Sequence, residues 1–225
     1  MCSSDLGFYF NFIKHTPLPV RMLQYTAVDS ATLELLKNLM NEPVFYGLRL
    51  AGGTALALQI GHRRSVDLDL FGSMANDIYT ITQKLNEMGK VNLLNQTENI
   101  HIYLVNGIKV DLVNYPYSWL EDAIATDGIR LAGIKDIAAM KLAAVTGRGT
   151  RKDFVDLYFL LQQYTLREMF SFYEQKYPDG SSFLVLKSLT YFDDANQDQY
   201  PQMLQQVNWE VIKKTITSAV DEFLG

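Results

Sequence analysis

Residues 50–71 constrain the fold of this chain more than any other stretch. Two adjacent glycines follow an apolar run, and the chain later alternates strictly between apolar and acidic residues. That succession predicts a strand over 44–50, a turn over 52–54, a short helix over 55–60 and a second strand over 66–70. A glycine-rich turn before a helix lets backbone N–H groups approach an anion closely. The same turn also occurs as a plain connection with a threonine cap.

Two acidic residues lie on the second predicted strand. Asp67 and Asp69 are two positions apart, so their side chains should point to one face, while the apolar residues from Val66 onward face the core. The two side chains would emerge about 6.5–7 Å apart. That spacing would let them share divalent ions about 3.5–4 Å apart. A D-x-D pattern alone describes the solvated face of an ordinary strand equally well.

Asp111 lies on one arm of a predicted hairpin. Asn106 and Gly107 separate the alternating runs 100–105 and 108–113, which is the strongest short hairpin signal that a sequence carries. Three carboxylates on neighbouring strands would suit Mg²⁺, whose octahedral shell is completed by substrate phosphates. Two such ions can activate an attacking hydroxyl and stabilise a leaving pyrophosphate. The glycine pair upstream and Asp111 downstream therefore favour a metal site over a plain strand face.

A short basic run lies between the predicted helix and the second strand. Arg64 and Ser65 could hold phosphate oxygens through charge-assisted hydrogen bonds. A surface arginine followed by a structural serine explains them nearly as well. His62 and Arg63 complete a local basic patch, but the pattern assigns no role to either. A second basic patch consists of Arg148, Arg151 and Lys152.

The composition limits the class of protein. The chain has 225 residues, of which 48% are hydrophobic, enough to bury a core in one domain or two small ones. No apolar run reaches the roughly 18 residues of a membrane span. The net charge of −5 argues against a surface that coats nucleic acid broadly. Because Cys2 is the single cysteine and the three histidines form no zinc pattern, we expect a cytoplasmic location.

The rest of the pattern predicts an α/β half followed by a mostly helical half. Residues 1–21 show no clear periodicity, and we interpret them as an extension of doubtful origin or a docked aromatic segment. Asp29 or Ser30 should cap a helix that ends before Pro43. Further helices are expected over 76–88, 134–147, 151–164, 166–177, 182–191 and 209–224, and a strand over 91–94. The predicted domains are 22–133 and 134–225.

Lys141 is the most informative residue outside the central stretch. Its predicted helix is apolar on nearly every side, so the ammonium must reach water or meet a negative partner. That partner could be a carboxylate of the next helix, where Asp153 and Asp156 are available, or a bound phosphate. Asp156 lies in an equally apolar segment and needs a partner as well. An ordinary surface pair between Lys152 and Asp156, four positions apart, is the alternative.

Together these motifs resemble the nucleotidyltransferase signature of the polymerase-β-like superfamily, in which a glycine-rich turn and a helix precede D-x-D. The closer resemblance is to the AbiEii/AbiGii toxin-type nucleotidyltransferases of bacterial toxin–antitoxin and phage-defence systems. It rests on segments 52–56, 64–71, 108–113 and 152–157 together with Lys141, and it covers roughly residues 45–161. Each motif alone is weak, but the set in this order is specific.

The resemblance implies a nucleotidyltransferase-like mixed sheet flanked by helices, with the helical half completing the active site. The implied metal ligands, for Mg²⁺ or Mn²⁺, are Asp67, Asp69 and Asp111. The implied nucleotide-binding residues are Gly52, Gly53, Thr54 and Lys141, with Asp153 or Asp156 contacting the nucleotide or orienting Lys141. The expected reaction moves a nucleoside monophosphate from a nucleoside triphosphate to an acceptor hydroxyl. The related toxins suggest RNA, tRNA in particular, as the acceptor, and a separate antitoxin protein as a partner.

Two other functions are compatible with parts of this pattern. A glycosyltransferase could use D-x-D to hold a sugar nucleotide through a metal ion, although that chemistry does not call for Asp111 or Lys141. A non-catalytic module could bind a nucleotide or a partner protein. Incubation with nucleoside triphosphates, Mg²⁺ and RNA separates the three, because labelled RNA, sugar transfer and binding without transfer are different outcomes.

Overall fold

The computed structural model describes residues 22–147 and 149–225. The predicted extension 1–21 and Arg148 of the second basic patch lie outside the described residues. The helices in the described part are α1 (Ser30–Asn41), α2 (Gly52–Ile60), α3 (Ile78–Met88), α4 (Ile134–Gly147), α5 (Arg151–Leu160), α6 (Leu166–Lys176), α7 (Ser182–Leu189) and α8 (Trp209–Leu224). The strands are β1 (Leu48–Leu50), β2 (Leu68–Gly72), β3 (Val91–Gln96), β4 (Ile100–Val105), β5 (Ile108–Asn114), β6 (Ile124–Thr126) and β7 (Ile129–Leu131).

The described strands form one mixed sheet in the order β3-β4-β5-β2-β1-β7-β6. β2 is parallel to β5 and β1 is parallel to β7, whereas the other neighbouring strands are antiparallel. Helices flank this sheet, and the helices after β7 form the second half of the chain. The predicted mixed α/β sheet followed by a helical half is therefore confirmed.

The two faces of the central strands differ in exposure. One face is fully buried and consists of Leu68, Leu70, Tyr103, Val105, Val110 and Leu112. Helix α3 covers it, since the hydroxyls of Thr82 and Tyr103 share a hydrogen bond of 2.9 Å. On the other face, Phe71, Ile102, Leu104 and Val113 are only half-buried. This second face is therefore open, and strict alternation places the acidic residues of β2 and β5 on it.

Local capping signals determine where several helices begin. Asp29 caps α1 as predicted, because its carboxylate accepts a hydrogen bond of 2.9 Å from the Thr32 N–H. Asp77 caps α3 in the same way through Thr80. Thr150 and Asp153 form a reciprocal capping box at the start of α5. The helix predicted over 76–88 begins two positions later, at Ile78, because Asp77 is its cap. The helix predicted over 151–164 ends at Leu160.

The C-terminal half closes onto the central unit through a short backbone contact. Arg63 forms an isolated antiparallel bridge with Met203, and the His62 carbonyl accepts hydrogen bonds from the N–H groups of Leu204 and Gln205. Apolar side chains of both halves belong to a continuous core. None of the helices in the described ranges combines the length and apolar character that a bilayer span needs.

Two sequence-based predictions about strands were wrong, and one hairpin was missed. The predicted strand 44–50 begins only at Leu48, because residues Pro43–Phe45 form a 3-10 turn. The predicted strand 66–70 begins at Leu68 and continues to Gly72, so Val66 lies outside it and is 59% exposed instead of facing the core. The pattern also missed the hairpin of β6 and β7, whose turn residues Asp127 and Gly128 both have positive φ.

Candidate active site

Asp69 and Asp111 are direct neighbours on the open face. They are register partners in the parallel pair of β2 and β5. Neighbouring strands lie about 4.7–4.9 Å apart, and register partners point to the same face. The sheet register therefore brings the two predicted metal ligands side by side, a relation that neither strand's sequence specifies.

Asp67 lies immediately before β2 and extends the line of carboxylates. Its carbonyl accepts a short hydrogen bond from the Thr54 hydroxyl, which fixes the chain at this point. Its carboxylate meets the Lys152 ammonium at 3.4 Å. We call Asp67, Asp69 and Asp111 the carboxylate row.

The carboxylate row is electrostatically unfavourable as a set of isolated anions. Burial raises the pKa of Asp69, and the nearby charges of Asp111 and Asp67 raise this pKa further. The charges of Lys141 and, to a smaller extent, Lys109 oppose this rise of the Asp69 pKa, and the Lys109 ammonium lies 2.6 and 2.5 Å from the two carboxylate oxygens of Asp111. Lys109 and Lys152 thus both contact carboxylates of the row.

The glycine pair lies directly against the row. Gly52 begins α2 with φ of +63°, and a side chain there would come within 2.5 Å of an Asp69 carboxylate oxygen. The Ala51 N–H donates to the Asp69 carbonyl at 2.9 Å. The N-terminus of a nine-residue helix therefore meets the carboxylates at one edge of the open face.

The other predicted phosphate-binding residues divide into buried and exposed side chains. Thr54 is fully buried, and its hydroxyl also shares a 2.8 Å hydrogen bond with the Ser65 hydroxyl. Arg64 has an exposed side chain, and its backbone N–H donates to the Gln202 carbonyl at 2.8 Å. Thr54 and Ser65 therefore fix the chain segment that leads into β2, whereas the Arg64 side chain lies at the surface.

A second group of charged side chains lies beneath the glycine pair. Arg63 donates to both carboxylate oxygens of Asp156, from Nε at 2.6 Å and from Nη2 at 2.9 Å. The Lys141 ammonium contacts Asp156 at 2.6 Å and Asp153 at 2.9 Å. His62 Nε2 lies 2.8 Å from Asp156. We call these five residues the ion cluster.

The ion cluster is buried and electrically balanced. Two carboxylates oppose one guanidinium and one ammonium, and every member is under 9% exposed. Burial alone would raise the pKa of Asp156, but Arg63, Lys141 and His62 outweigh it and hold this pKa well below the usual range. Burial would likewise lower the pKa of Lys141, yet Asp156 and Asp153 raise it, so the ammonium stays charged.

Burial also decides the protonation state of the His62 ring. Burial lowers the pKa of His62 despite the neighbouring Asp156, so the ring is neutral at pH 7. Its Nε2–H then donates a hydrogen bond to the Asp156 carboxylate. The other ring nitrogen, Nδ1, is buried with no hydrogen-bond partner among the described residues. His62 therefore stabilises Asp156 without adding charge to the cluster.

The glycine pair joins the row to the ion cluster. A side chain at position 53 would come within 2.1 Å of Arg63 Nη2 and 3.3 Å of Asp156 Oδ2. Glycine is needed there because the guanidinium packs against the backbone. Lys141 therefore lies under the turn, and its ammonium is already paired with two carboxylates.

Several sequence-based alternatives are settled by these contacts. The surface pair between Lys152 and Asp156 is wrong, because Asp156 is buried and Lys152 contacts Asp67. His62 and Arg63 are not part of a surface patch, since both are buried. Arg151 of the second patch is held by the carbonyls of Ala195 and Asn196 and lies over the Trp209 ring. Sequence reasoning missed His62 and Arg63, because a polar run gives no sign of burial.

The comparisons with known proteins agree with this arrangement. Residues 34–224 match the family described as "Nucleotidyl transferase AbiEii toxin, Type IV TA system". The chain belongs to the AbiEii nucleotidyltransferase toxin family. A protein of Aquifex aeolicus (strain VF5) is 34% identical over 197 residues, which are 85% of this chain and 95% of that protein. The predicted family and the predicted nucleotidyltransferase activity are confirmed.

Solved structures with low identity share the fold of this AbiEii family member. MenT4, a nucleotidyltransferase toxin from Mycobacterium tuberculosis H37Rv, is similar with a TM-score of 0.58 and 13% identity, over 84% of this chain and 82% of MenT4. JHP933 from Helicobacter pylori is similar with a TM-score of 0.50 and 19% identity, over 87% of this chain and 92% of JHP933. The family description, which refers to a toxin–antitoxin system, suggests an antitoxin as a partner of this toxin.

The donor set of this AbiEii toxin suits a metal ion that shares its shell with substrate. No group of three or more His, Cys, Asp or Glu side chains in the described ranges converges into a complete metal site. Mg²⁺ is commonly held by only one or two carboxylates, with substrate phosphates and water as the other ligands. The neighbouring carboxylates of Asp69 and Asp111, their mutual repulsion and the ammonium on Asp111 are the features expected where a cation binds.

Proposed function

We propose that this toxin transfers a nucleoside monophosphate from a nucleoside triphosphate to an acceptor hydroxyl on RNA, and that the transfer requires Mg²⁺ or Mn²⁺. The register pairing of Asp69 with Asp111 on the open face carries the proposal. Asp69 lies against a glycine-rich helix N-terminus, and Asp111 is the register partner of Asp69, so a site for an anion and a site for a cation would adjoin each other. We expect tRNA to be the acceptor. A role of the toxin in phage defence and its location in the cytoplasm remain predictions.

The phosphates would bind at the start of α2. Backbone N–H groups of Gly52 and Gly53 would face the triphosphate, and the helix dipole favours its negative charge. Arg64, whose exposed side chain lies three positions before Asp67 in the sequence, would add a charge-assisted hydrogen bond, and the hydrogen bond from Thr54 to Ser65 fixes the approach of the chain to β2. The row would hold the divalent cation through Asp69 and Asp111, with Asp67 as the third carboxylate. When bound, that cation would neutralise the phosphates and stabilise the leaving pyrophosphate.

Chemistry at this site consists mainly of positioning and charge neutralisation. The acceptor oxygen forms a bond to the α-phosphorus, the bond from that phosphorus to the bridging oxygen breaks, and pyrophosphate leaves. The hydroxyl proton passes to solvent. Attacking and leaving oxygens lie roughly in line through the phosphorus. The rigid strands β2 and β5 would keep the carboxylates fixed while this exchange occurs.

Lys141 would act as a positioning residue within the ion cluster. Its ammonium and the Arg63 guanidinium hold Asp156 in place, and Arg63 packs under Gly53. Asp153 is fixed in turn by Lys141 and by the Thr150 cap. A direct contact from Lys141 to the triphosphate, which the resemblance implies, requires the ammonium to leave Asp153 or Asp156 and stays a prediction.

The test is a transfer assay with each of the four α-labelled nucleoside triphosphates, total RNA and Mg²⁺. We expect one discrete RNA species to be labelled. We also expect the label to disappear with a chelator and to return with Mg²⁺ or Mn²⁺. Asp69→Asn should abolish the label, and Asp193→Asn, at an exposed position, should keep it. Label on protein instead of RNA would contradict the acceptor, and tight nucleotide binding without any transfer would contradict the catalytic role of the row.

A further inference from the structure

We propose that the open face of β4 and β3, beyond Asp111, binds the 3′-terminal nucleotide of a single-stranded RNA acceptor. We call this surface the acceptor shelf and define it as Ile100, Ile102, Leu104, Asn92 and Asn95, with Lys109 at its border. This inference rests on the proposed function, because it assigns the acceptor side of the same site.

The order of the strands decides from which side an acceptor approaches. The glycine turn follows β1, on one side of β2, whereas β5, β4 and β3 follow in that order on the other side. In an in-line displacement, the attacking oxygen and the leaving pyrophosphate lie on opposite sides of the phosphorus. With the triphosphate at Gly52 and the reacting phosphorus near the row, the acceptor must lie over β5 and β4.

The sheet register specifies which side chains an acceptor meets there. Ile102 is the register partner of Asp111, and Leu104 is the partner of Lys109. Asn95 and Asn92 are the partners of Ile102 and Leu104 on β3. The apolar side chains are half-buried or exposed, and Ile100 reaches 39% exposure. The opposite face of β4 is fully buried at Tyr103, so on β4 the exposed side is the one that bears the row.

The chemistry of the shelf suits a nucleobase at a free end better than a duplex. Its apolar side chains offer a flat surface for the face of a base, and its two asparagines offer hydrogen bonds. Among the register partners of its β4 residues, Lys109 is the cation and Asp111 is the anion. A duplex-binding surface would need several phosphate contacts, which neither this shelf nor a chain of net charge −5 offers.

Lys109 would contact the backbone phosphate of that terminal nucleotide. Its ammonium now pairs with Asp111, and it is 39% exposed against 18% for the carboxylate. A divalent cation on Asp111 would repel the ammonium, because like charges at close range are unfavourable. The lysine would then be available on the acceptor side of the row.

The experiment measures RNA binding without turnover. A short single-stranded RNA with a 5′ fluorophore and a free 3′ hydroxyl is titrated with the full chain, Mg²⁺ and a non-hydrolysable triphosphate analogue, and its anisotropy is recorded. Ile102→Ser and Lys109→Gln should each raise the Kd for RNA about tenfold, since a lost apolar or phosphate contact has roughly this size. Ile102→Ser should leave the Kd for the analogue within about twofold.

Matched controls come from the same edge of the sheet. Leu93→Ser removes an exposed apolar side chain from the opposite face, because Leu93 is the register partner of Tyr103. Lys90→Gln removes an exposed lysine outside the shelf. Neither should change the Kd for RNA. Lys109→Gln should also reduce the slope of log Kd against log salt by about 0.7, the contribution of one phosphate contact on a single strand, whereas Ile102→Ser should not.

Two outcomes would overturn the shelf. Unchanged RNA binding in both variants excludes it, and weaker binding of the analogue in place of RNA would show that this face holds the incoming nucleotide. Failure of the proposed function is a separate result, because it is seen in the transfer assay as label on protein, as nucleotide binding without transfer, or as persistent transfer by Asp69→Asn.

Discussion

The carboxylate row and the ion cluster both contact the glycine pair, but water reaches only the row. Asp69 lies against Gly52, and the Arg63–Asp156 pair lies against Gly53. In the cluster two anions and two cations balance inside the protein. In the row three anions face two lysines that are about two-fifths exposed, Lys109 at 39% and Lys152 at 42%.

This difference separates two uses of charge. In the cluster, the charges of the described residues pair with one another, and their contacts join α4, α5 and the segment that follows α2. The row keeps unfavourable charge on a solvent-accessible face, at the cost of a raised Asp69 pKa. Perturbed carboxylates in a cleft are a common sign of a functional site. We therefore expect substitutions in the row to affect transfer and substitutions in the cluster to affect stability.

The largest expected effect is on catalysis at Asp111. Asp111→Asn keeps the shape of the side chain and removes its charge, so transfer should fall about a thousandfold. The rate of RNA labelling measures this, with the circular dichroism spectrum as a check that the fold persists. Asp193→Asn is the control at an exposed position. A rate within about tenfold of the parent would contradict a role in transition-state stabilisation.

The largest expected effect on stability is at Asp156. Asp156→Asn leaves Arg63 and Lys141 buried without their main counter-ion, so the free energy of unfolding should fall by about 3–5 kcal/mol. Urea unfolding at pH 7 measures this. The sign follows from the lowered pKa: the carboxylate is charged in both states at pH 7, and its charge is favoured in the folded state. A loss under about 1 kcal/mol would show that the cluster is dispensable.

An intermediate effect is expected at the glycine that separates the two groups. Gly53→Ala places a methyl group against the Arg63 guanidinium and should destabilise the protein by about 1–3 kcal/mol. Gly147→Ala is the matched control, since a side chain there meets nothing within 4 Å. That change should stabilise slightly, by about 0.4–1 kcal/mol, because it restricts the unfolded chain. Equal effects at both positions would argue against close packing under the turn.

The smallest effect is a pH dependence from His62. Its folded pKa is lowered from 6.5, so below about pH 6.5 the unfolded chain takes up a proton that the folded chain resists. Stability should therefore fall as the pH decreases below about 6.5, until the folded ring is protonated as well. His62→Gln should flatten the curve of unfolding free energy against pH. Identical slopes for parent and variant would mean that the pKa of His62 is the same in the folded and the unfolded chain.

Local signals in the sequence explain how much of the fold could be predicted. Asp29, the Asn106–Gly107 turn and the bounds of α4 and α8 follow from caps, turn residues and periodicity. The β6–β7 hairpin had an equally local signal in Asp127 and Gly128, but its strands of three residues are too short to show alternation. The prediction for Val66 was wrong because the alternation of apolar and acidic residues begins at Val66, whereas strand β2 begins only at Leu68.

The site was less predictable, because its geometry depends on distant contacts. The residue types of the row are visible in the sequence, but the pairing of Asp69 with Asp111 is set by the parallel register. Arg63 and His62 read as a surface patch. They are buried because residues 202–205 close over them and because Asp156 supplies a counter-ion from 93 positions away. Such burial has no local pattern in the chain.

The measurement that tests the row most directly is the thermal shift on adding Mg²⁺ and a non-hydrolysable triphosphate analogue. At about 100 times Kd, binding adds about 2.7 kcal/mol, which corresponds to a Tm increase of roughly 5–10 °C for a chain of this size. The parent and Asp193→Asn should show this increase, and Asp111→Asn should show little or none. An increase in Asp111→Asn equal to that of the parent would contradict the assignment of the carboxylate row as the cation site.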